Sequence, residues 1–286
     1  MGIRLSGAER AALSSAIKAN IDEYCEKVYY GEHRSHLGAS LIGEKCARKL
    51  WYGFRWAFKE KHSGRQLRLF NRGHKEEDRL IEWIQGIGAR IWSHDENGNQ
   101  FRIASTDGHF GGSLDGAMFL PTQYGLDLAF LCEFKTHNQN SFNRLVKNKV
   151  RQSHPKHFAQ MSVYGKVYGF QYAIYFAICK NDDEIHVEVV ELDWNLADQL
   201  LDKASRITNS RVAPGRIAAS AAFSDCATCS FAGICHKNEP VELNCRSCRH
   251  AVVAPNAQWF CEKFNAILLK DKIKFGCQQW EEIEHR

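Results

Sequence analysis

The chain has 286 residues, 44% of them hydrophobic and 25% charged, with a formal net charge of +5. That is enough chain to bury a full core in one domain of average-to-large size with a small appendage, and the mild basicity suits a polyanionic partner. No apolar run approaches the roughly 18 residues of a membrane helix, and residues 1–20 lack the apolar centre of a secretory signal, so the expectation is a soluble, cytoplasmic protein with no membrane partner.

In chain order, Ser6–Tyr30 reads as an amphipathic helix, Ser40–Phe54 as a second and Gln66–Ile87 as a third. Strands follow at Arg90–His94, Phe101–Ser105, Gly111–Leu120 and Gly125–Thr136, the last two joined by a turn at Pro121–Gly125 to make a hairpin. Helices are expected at Phe142–Arg151 and Lys156–Tyr168, then strands at Tyr172–Lys180 and Ile185–Leu192 around an Asn181-Asp182-Asp183 turn. A helix over Asn195–Asn209 and a Pro214-Gly215 link over Arg211–Ala222 lead into a cysteine-rich end. The alternation predicts an α/β fold, a mixed central sheet flanked by helices, with residues 1–236 as the main domain and 237–286 as a small metal-binding module.

Within that frame, Asp115 precedes Glu133-Phe134-Lys135 across the hairpin. Glu133 and Lys135 are two apart and share a strand face, with Asp115 expected on the partner strand. Carboxylates that hold a divalent cation, with an amine beside them, are what phosphodiester hydrolysis requires; a solvated pair on a sheet face is the plainer alternative. His74 and Glu77 are three apart on the third helix, and Gln160 and Tyr164 four apart on the helix that starts after Pro155, so each pair shares a face.

The ordered set Arg72-Gly73-His74, Asp115, Glu133-Phe134-Lys135 and Gln160-x-x-x-Tyr164 resembles the PD-(D/E)XK nucleases. Within them it is similar to the RecB-like branch that includes the CRISPR-associated iron-sulfur exonucleases and AddB-type nucleases, over roughly residues 40–236. Leu114 stands where a proline often precedes the acid. The resemblance implies a restriction-endonuclease-like core in which His74, Asp115, Glu133 and the Phe134 carbonyl hold Mn2+ or Mg2+. It also implies that Lys135 orients or deprotonates the attacking water, while Gln160 and Tyr164 position the substrate and brace the site. The implied activity is a DNA exonuclease, 5′ to 3′ on single-stranded ends, working with recombination or replication proteins. A structure-specific endonuclease and a non-catalytic DNA-binding recombination subunit are the alternatives. Arg144, Lys147, Lys149 and Arg151, followed by Lys156 and His157, lie near the presumed cleft and could neutralise phosphates, with Phe142 available to stack on a base; a solvated basic face is the alternative.

Eleven cysteines, seven of them after residue 225, argue against a disulfide framework in a cytoplasmic protein and point to metal. By spacing, Cys226, Cys229, Cys245 and Cys248 could form one zinc ribbon, or the two C-x2-C pairs could serve separate sites. The resemblance favours separate sites, with Cys46, Cys226, Cys229 and Cys235 around a 4Fe-4S cluster that pins the start of the nuclease fold to its end. Cys245, Cys248, Cys261 and Cys277 then fall to Zn2+, with a second cluster the alternative, because a module of about forty residues has too little core to fold without a staple. Cys25, Cys132 and Cys179 read as ordinary buried thiols.

Overall fold

The computed structural model describes residues 4–285. In chain order its elements are α1 (Gly7–Tyr29), β1 (Leu37–Gly38), a 3-10 turn (Ala39–Leu41), α2 (Ala47–Phe54), α3 (Gly64–Gly86), β2 (Arg90–Trp92), β3 (Arg102–Ala104), β4 (Phe110–Ser113) and β5 (Gly116–Phe119). After a second 3-10 turn (Thr122–Tyr124) come β6 (Ala129–His137), α4 (Gln139–Ser153), α5 (Pro155–Tyr168), β7 (Tyr172–Cys179), β8 (Ile185–Glu191) and α6 (Trp194–Asn209). The cysteine-rich end holds α7 (Ser224–Ala227), α8 (Ala232–Lys237), β9 (Ala251–Ala254), β10 (Gln258–Cys261) and β11 (Ala266–Leu268).

The chain divides into two compact units, a smaller one of the residues up to Glu32 with Glu60–Arg79, and a larger one of His33–Lys59 with everything from Leu80 onward. In the smaller unit, α1 opens on a reciprocal cap. The Ser6 hydroxyl accepts from the Glu9 N–H, and the Glu9 carboxylate accepts from the Ser6 N–H. The Gly64 N–H donates to Glu26, Arg68 meets Asp22 at 2.5 Å, and a Cβ at Gly64 would lie 2.4 Å from the Asp22 carbonyl oxygen, so only glycine allows that approach. The expected amphipathic burial of α1 is not seen, since Leu13, Ile17, Ile21, Tyr24 and Val28 are exposed and Cys25 is its one buried residue.

The larger unit is built on a five-stranded mixed sheet ordered β2-β5-β6-β7-β8, in which β6 and β7 are parallel and the other pairs antiparallel. α4 and α5 form the crossover that a parallel pair requires. On one face Met118, Phe130, Cys132, Phe134, Ile174, Phe176 and Ile178 pack against Leu80, Ile84 and Ala89. On the other, Leu131, Ala173, Tyr175, Ala177 and Cys179 join a larger core with Ala159, Met161, Val163 and Tyr164 of α5. α5 therefore lies buried from Phe158 to Gly165, facing the side of β6 that carries Glu133 and Lys135.

Three expectations need correction. The strand expected over Gly111–Leu120 is two strands in different sheets, because β4 pairs with β1 and β3 while β5 pairs with β2 and β6. Asp115 thus sits in the break between sheets and not within a hairpin strand. The helix expected over Ser40–Phe54 starts only at Ala47, which makes Cys46 its N-cap, the Sγ accepting from the Lys49 N–H. The cysteine-rich end carries a three-stranded antiparallel sheet, β11-β10-β9, whose short strands the sequence pattern did not reveal.

Candidate active site and cysteine groups

The ladder between β5 and β6 ends at Gly116↔Cys132, which leaves the Phe134 N–H beyond it without a strand partner on that side. The Asp115 Oδ2 accepts this N–H at 2.8 Å, and that bond fixes the first carboxylate against β6. Glu133, fully buried, and Lys135 follow on one face of β6, where the Lys135 Nζ lies 2.5 Å from Glu133 Oε1 and 3.6 Å from Asp115 Oδ2. The same ammonium donates to the Phe134 carbonyl at 2.9 Å. Burial opposes its charge, but Asp115 and Glu133 prevail and raise the amine above its ordinary pKa. Three oxygens from three adjoining residues therefore converge on one cation.

α5 closes the other wall. Gln160 Nε2 donates to Glu133 Oε2 at 3.3 Å, and Tyr164, 1% exposed, packs one turn further along with its hydroxyl pKa raised by burial and by Glu133 and Asp115. A Cβ on Gly112 would fall 2.4 Å from the Tyr164 Oη, so the glycine run before Asp115 makes room for this tyrosine. Tyr164 is therefore buried, its hydroxyl packed beside Gly112.

A second set of residues lies on this face, of which sequence reasoning marked only His157, and that as a phosphate contact. The row Glu133, Lys135 continues to His137, and Tyr175 is the cross-strand neighbour of Glu133. His157 Nδ1 lies 2.8 Å from Tyr175 Oη, which lies 3.0 Å from His137 Nε2. His137 Nδ1 is 2.9 Å from Ser141 Oγ, and that oxygen is 3.0 Å from His154 Nε2. Burial, with His154 and the Lys135 ammonium close by, depresses His137 to about 4; burial and Lys135 depress His157 to about 2. The i+2 continuation to His137 was the one available signal, because Tyr175 enters only through the β6–β7 register.

His74 belongs to the smaller unit, where it is exposed on α3 with Nδ1 3.6 Å from Glu77 Oε1. Arg144, Lys147 and Lys149 are exposed on α4; Arg151 is paired with Asp193 at 3.0 Å and lies over the Phe158 ring. Phe142 is 4% exposed and part of the core, so the expectation that it stacks on a base is withdrawn.

Cys46, Cys226, Cys229 and Cys235 line one cavity together with Glu44, Lys49 and Arg48. Burial would raise Glu44, but Lys156 and Lys49, at 2.6 and 2.8 Å, outweigh it and hold the carboxyl at about 2. Cys226 and Cys229 sit on one tight turn, the Cys229 N–H donating to the Cys226 carbonyl. In the module, Cys248 donates likewise to Cys245 and Cys261 ends β10. The Cys245 thiol is pushed up to about 11 by burial and by the nearby Cys277, Cys248 and Cys261. Among the described residues no three or more His, Cys, Asp or Glu are drawn together as they would be around a metal ion, so neither quartet is a closed ligand sphere. Cys25, Cys132 and Cys179 are buried. No helix among the described residues is long and apolar enough to cross a membrane.

No family model and no curated protein matches the chain. Among solved structures, it is similar to LHK-Exo in complex with dAMP, at 17% identity over 60% of this chain and 86% of that one, with a TM-score of 0.42. A second structure, described as an alkaline exonuclease (LHK-Exo) from Laribacter hongkongensis, matches at 17% identity over 65% and 90%, with a TM-score of 0.39. SSO0001 matches at 15% identity over 77% and 95%, with a TM-score of 0.42. At these scores the likeness is partial, and the chemistry rests on the site itself.

Proposed function

We propose that the protein is a divalent-metal-dependent DNA exonuclease that hydrolyses phosphodiester bonds, 5′ to 3′ from single-stranded ends. One observation carries the reading, the convergence of Asp115 Oδ2, Glu133 Oε1 and the Phe134 carbonyl on the Lys135 ammonium. All three donors are hard oxygens, the set that suits Mg2+ or Mn2+, and a cation already fits among them. When bound there, such an ion supplies Lewis-acid stabilisation of charge growing on the phosphoryl oxygens. Asp115 is held by the Phe134 N–H and Glu133 by Gln160, so both carboxylates are oriented before any ligand arrives. Lys135, as an ammonium, orients water and donates to a developing anion. The exposed Arg144, Lys147 and Lys149 are the phosphate contacts this reading assigns, with Arg151 the weaker one because Asp193 already pairs it.

The test is end-labelled linear DNA incubated with Mn2+. Glu133→Ala is expected to lower the cleavage rate by at least about 1,000-fold with DNA binding in Ca2+ largely kept, since the group acts on the cation and not on general affinity. Near-parental cutting by Glu133→Ala would remove the assignment. A closed single-stranded circle should survive conditions that consume its linear form; rapid cutting of the circle would make the enzyme an endonuclease.

The two cysteine quartets are proposed as structural sites, a 4Fe-4S cluster on Cys46, Cys226, Cys229 and Cys235, and Zn2+ on Cys245, Cys248, Cys261 and Cys277. The shared cavity supports the first, and the nearness of Cys277, Cys248 and Cys261 to the Cys245 thiol supports the second. Metal analysis of anaerobically purified protein should find iron lost from Cys46→Ala with zinc kept, and the reverse for Cys261→Ala. Iron unchanged in Cys46→Ala would break this grouping.

A further inference from the structure

The chain of hydrogen bonds behind Lys135 has a direction, and that direction specifies one nitrogen. α4 breaks at Lys149, whose φ of 60° lies outside the helical region, and the Val150 N–H turns to the Glu188 carboxylate. At this break the Ser153 hydroxyl lies 2.6 Å from the Lys149 carbonyl, an acceptor only, so the single Ser153 proton points there. Ser153 Oγ, 2.8 Å from His154 Nδ1, must then accept from an Nδ1–H. A neutral His154 leaves Nε2 bare, to accept from the Ser141 hydroxyl, which in turn accepts from His137 Nδ1–H. His137 Nε2 accepts from the Tyr175 hydroxyl, and Tyr175 Oη accepts from His157 Nδ1–H. Burial lowers the pKa of all three imidazoles, as the neutral forms require. The chain ends on a lone pair at His157 Nε2.

His157 is three residues before Gln160 and seven before Tyr164, on the α5 face whose Gln160 holds Glu133, and it feels the charge of Lys135. Of the groups at this centre, Lys135 is protonated, Asp115 is engaged by a backbone N–H and Glu133 by Lys135 and Gln160. We propose that His157 Nε2 takes the proton of the attacking water, an inference that rests on the nuclease reading above, with Tyr175, His137, Ser141, His154 and Ser153 as positioning residues behind it. As the bond between water oxygen and phosphorus forms, the water proton passes to Nε2. The bond from phosphorus to the leaving sugar oxygen breaks with its electron pair on that oxygen, which takes a proton from bulk water. The hydroxide so formed recovers the proton from His157, and the balance closes. Every donor in the chain points away from His157, so its polarisation favours the positive charge that forms there.

The experiment has two independent arms, both on the full-length protein. In the first, 15N-histidine NMR reads the tautomers without any turnover, with assignment by single His→Gln variants. All three rings should be neutral Nδ1–H forms, and Tyr175→Phe should release His157 to a mixture. An Nε2–H tautomer at His157 in the parental protein overturns the proposal. In the second arm, an end-labelled linear single-stranded oligonucleotide is digested with Mn2+. His157→Ala should lower kcat on the order of 100-fold with little change in KM, and free imidazole should restore a substantial part of the rate. His157→Gln should show the same loss without rescue, because the amide fills the ring's place. An inactive Glu133→Ala beside a fully active His157→Ala sinks the base role and leaves the nuclease reading standing, as does a His157→Ala defect that imidazole does not repair. Equal rates for parental protein and Glu133→Ala sink both.

Discussion

Two cations in the larger unit, one half-buried and one fully buried, are held by opposite means. Lys135 stands between two carboxylates and a carbonyl, which raise its pKa against the cost of burial. Arg246 is 1% exposed and held by neutral groups, its guanidinium 4.6, 4.4 and 4.5 Å from the ring centres of Phe54, Trp56 and Trp259. It donates to the carbonyls of Ser35 at 2.9 Å, Arg34 and Phe54, and burial drives its pKa well below the ordinary arginine value. Anionic oxygens around a flexible amine can accept another cation in its place, whereas carbonyl dipoles and ring faces fit a planar guanidinium and little else. The first arrangement is suited to chemistry, and the second fastens the cysteine-rich module to the segments Arg34–Ser35 and Phe54–Trp56.

The sharpest way to break that contrast is to delete each cation. Lys135→Ala should reduce cleavage by about 100-fold or more, and in the absence of metal it leaves Asp115 and Glu133 facing one another with less compensation. Mn2+ should therefore raise the thermal midpoint of Lys135→Ala more than that of the parental protein. If Mn2+ raises neither midpoint, the three oxygens are not a cation site.

Arg246→Ala should act on stability alone. Loss of charged hydrogen bonds to buried carbonyls, with a cavity among three aromatic rings, should cost about 3 kcal/mol or more in urea unfolding. Arg246→Lys should recover little, because an ammonium cannot span both Ser35 and Phe54 while lying flat against the rings. A loss below about 1 kcal/mol would mean that the module is fastened elsewhere, with Arg55 and its bonds to the Cys248 and Ala251 carbonyls the next place to look.

How much of this was legible follows from the range of each signal. Glu133 and Lys135, or Gln160 and Tyr164, declare themselves by short spacings on one element, and α5, whose start His154-Pro155 announces, was placed within a residue, whereas α4 begins at Gln139 and not at the expected Phe142. The break at Leu114-Asp115 was invisible because Gly112–Leu120 keeps a strand-like composition on both sides, while the change of sheet depends on β1 and β6, which are distant in sequence. Tyr175 reaches the site through strand register and His154 through a kink at Lys149 that no residue preference announces. Arg246 sits between Cys245 and Ser247 in what reads as a metal-binding turn, and nothing local marks it as the most buried arginine among the described residues.

The smallest effect, and the one that tests whether the histidine chain belongs with the chemical site or with the structural one, is the response to acid. His137 and His157 stay neutral in the fold, at about 4 and about 2, while unfolded imidazoles protonate near 6.5. Below pH 6.5 the unfolded state therefore binds more protons than the native state, and stability falls as the pH drops. Between pH 6.5 and 5 an imidazole kept neutral contributes a loss of about 2 kcal/mol. Glu44, held at about 2, adds its own loss only below its unfolded value near 4.5, so the window from pH 7 to 5 isolates the histidines. Arg246→Ala leaves every imidazole in place, so it should lower the whole stability curve without changing its slope. His137→Gln should flatten the slope between pH 6.5 and 5. Urea titrations at pH 7, 6 and 5 on the three proteins decide the matter, and an unchanged slope in His137→Gln would show that the imidazole at the centre of the chain is not held neutral.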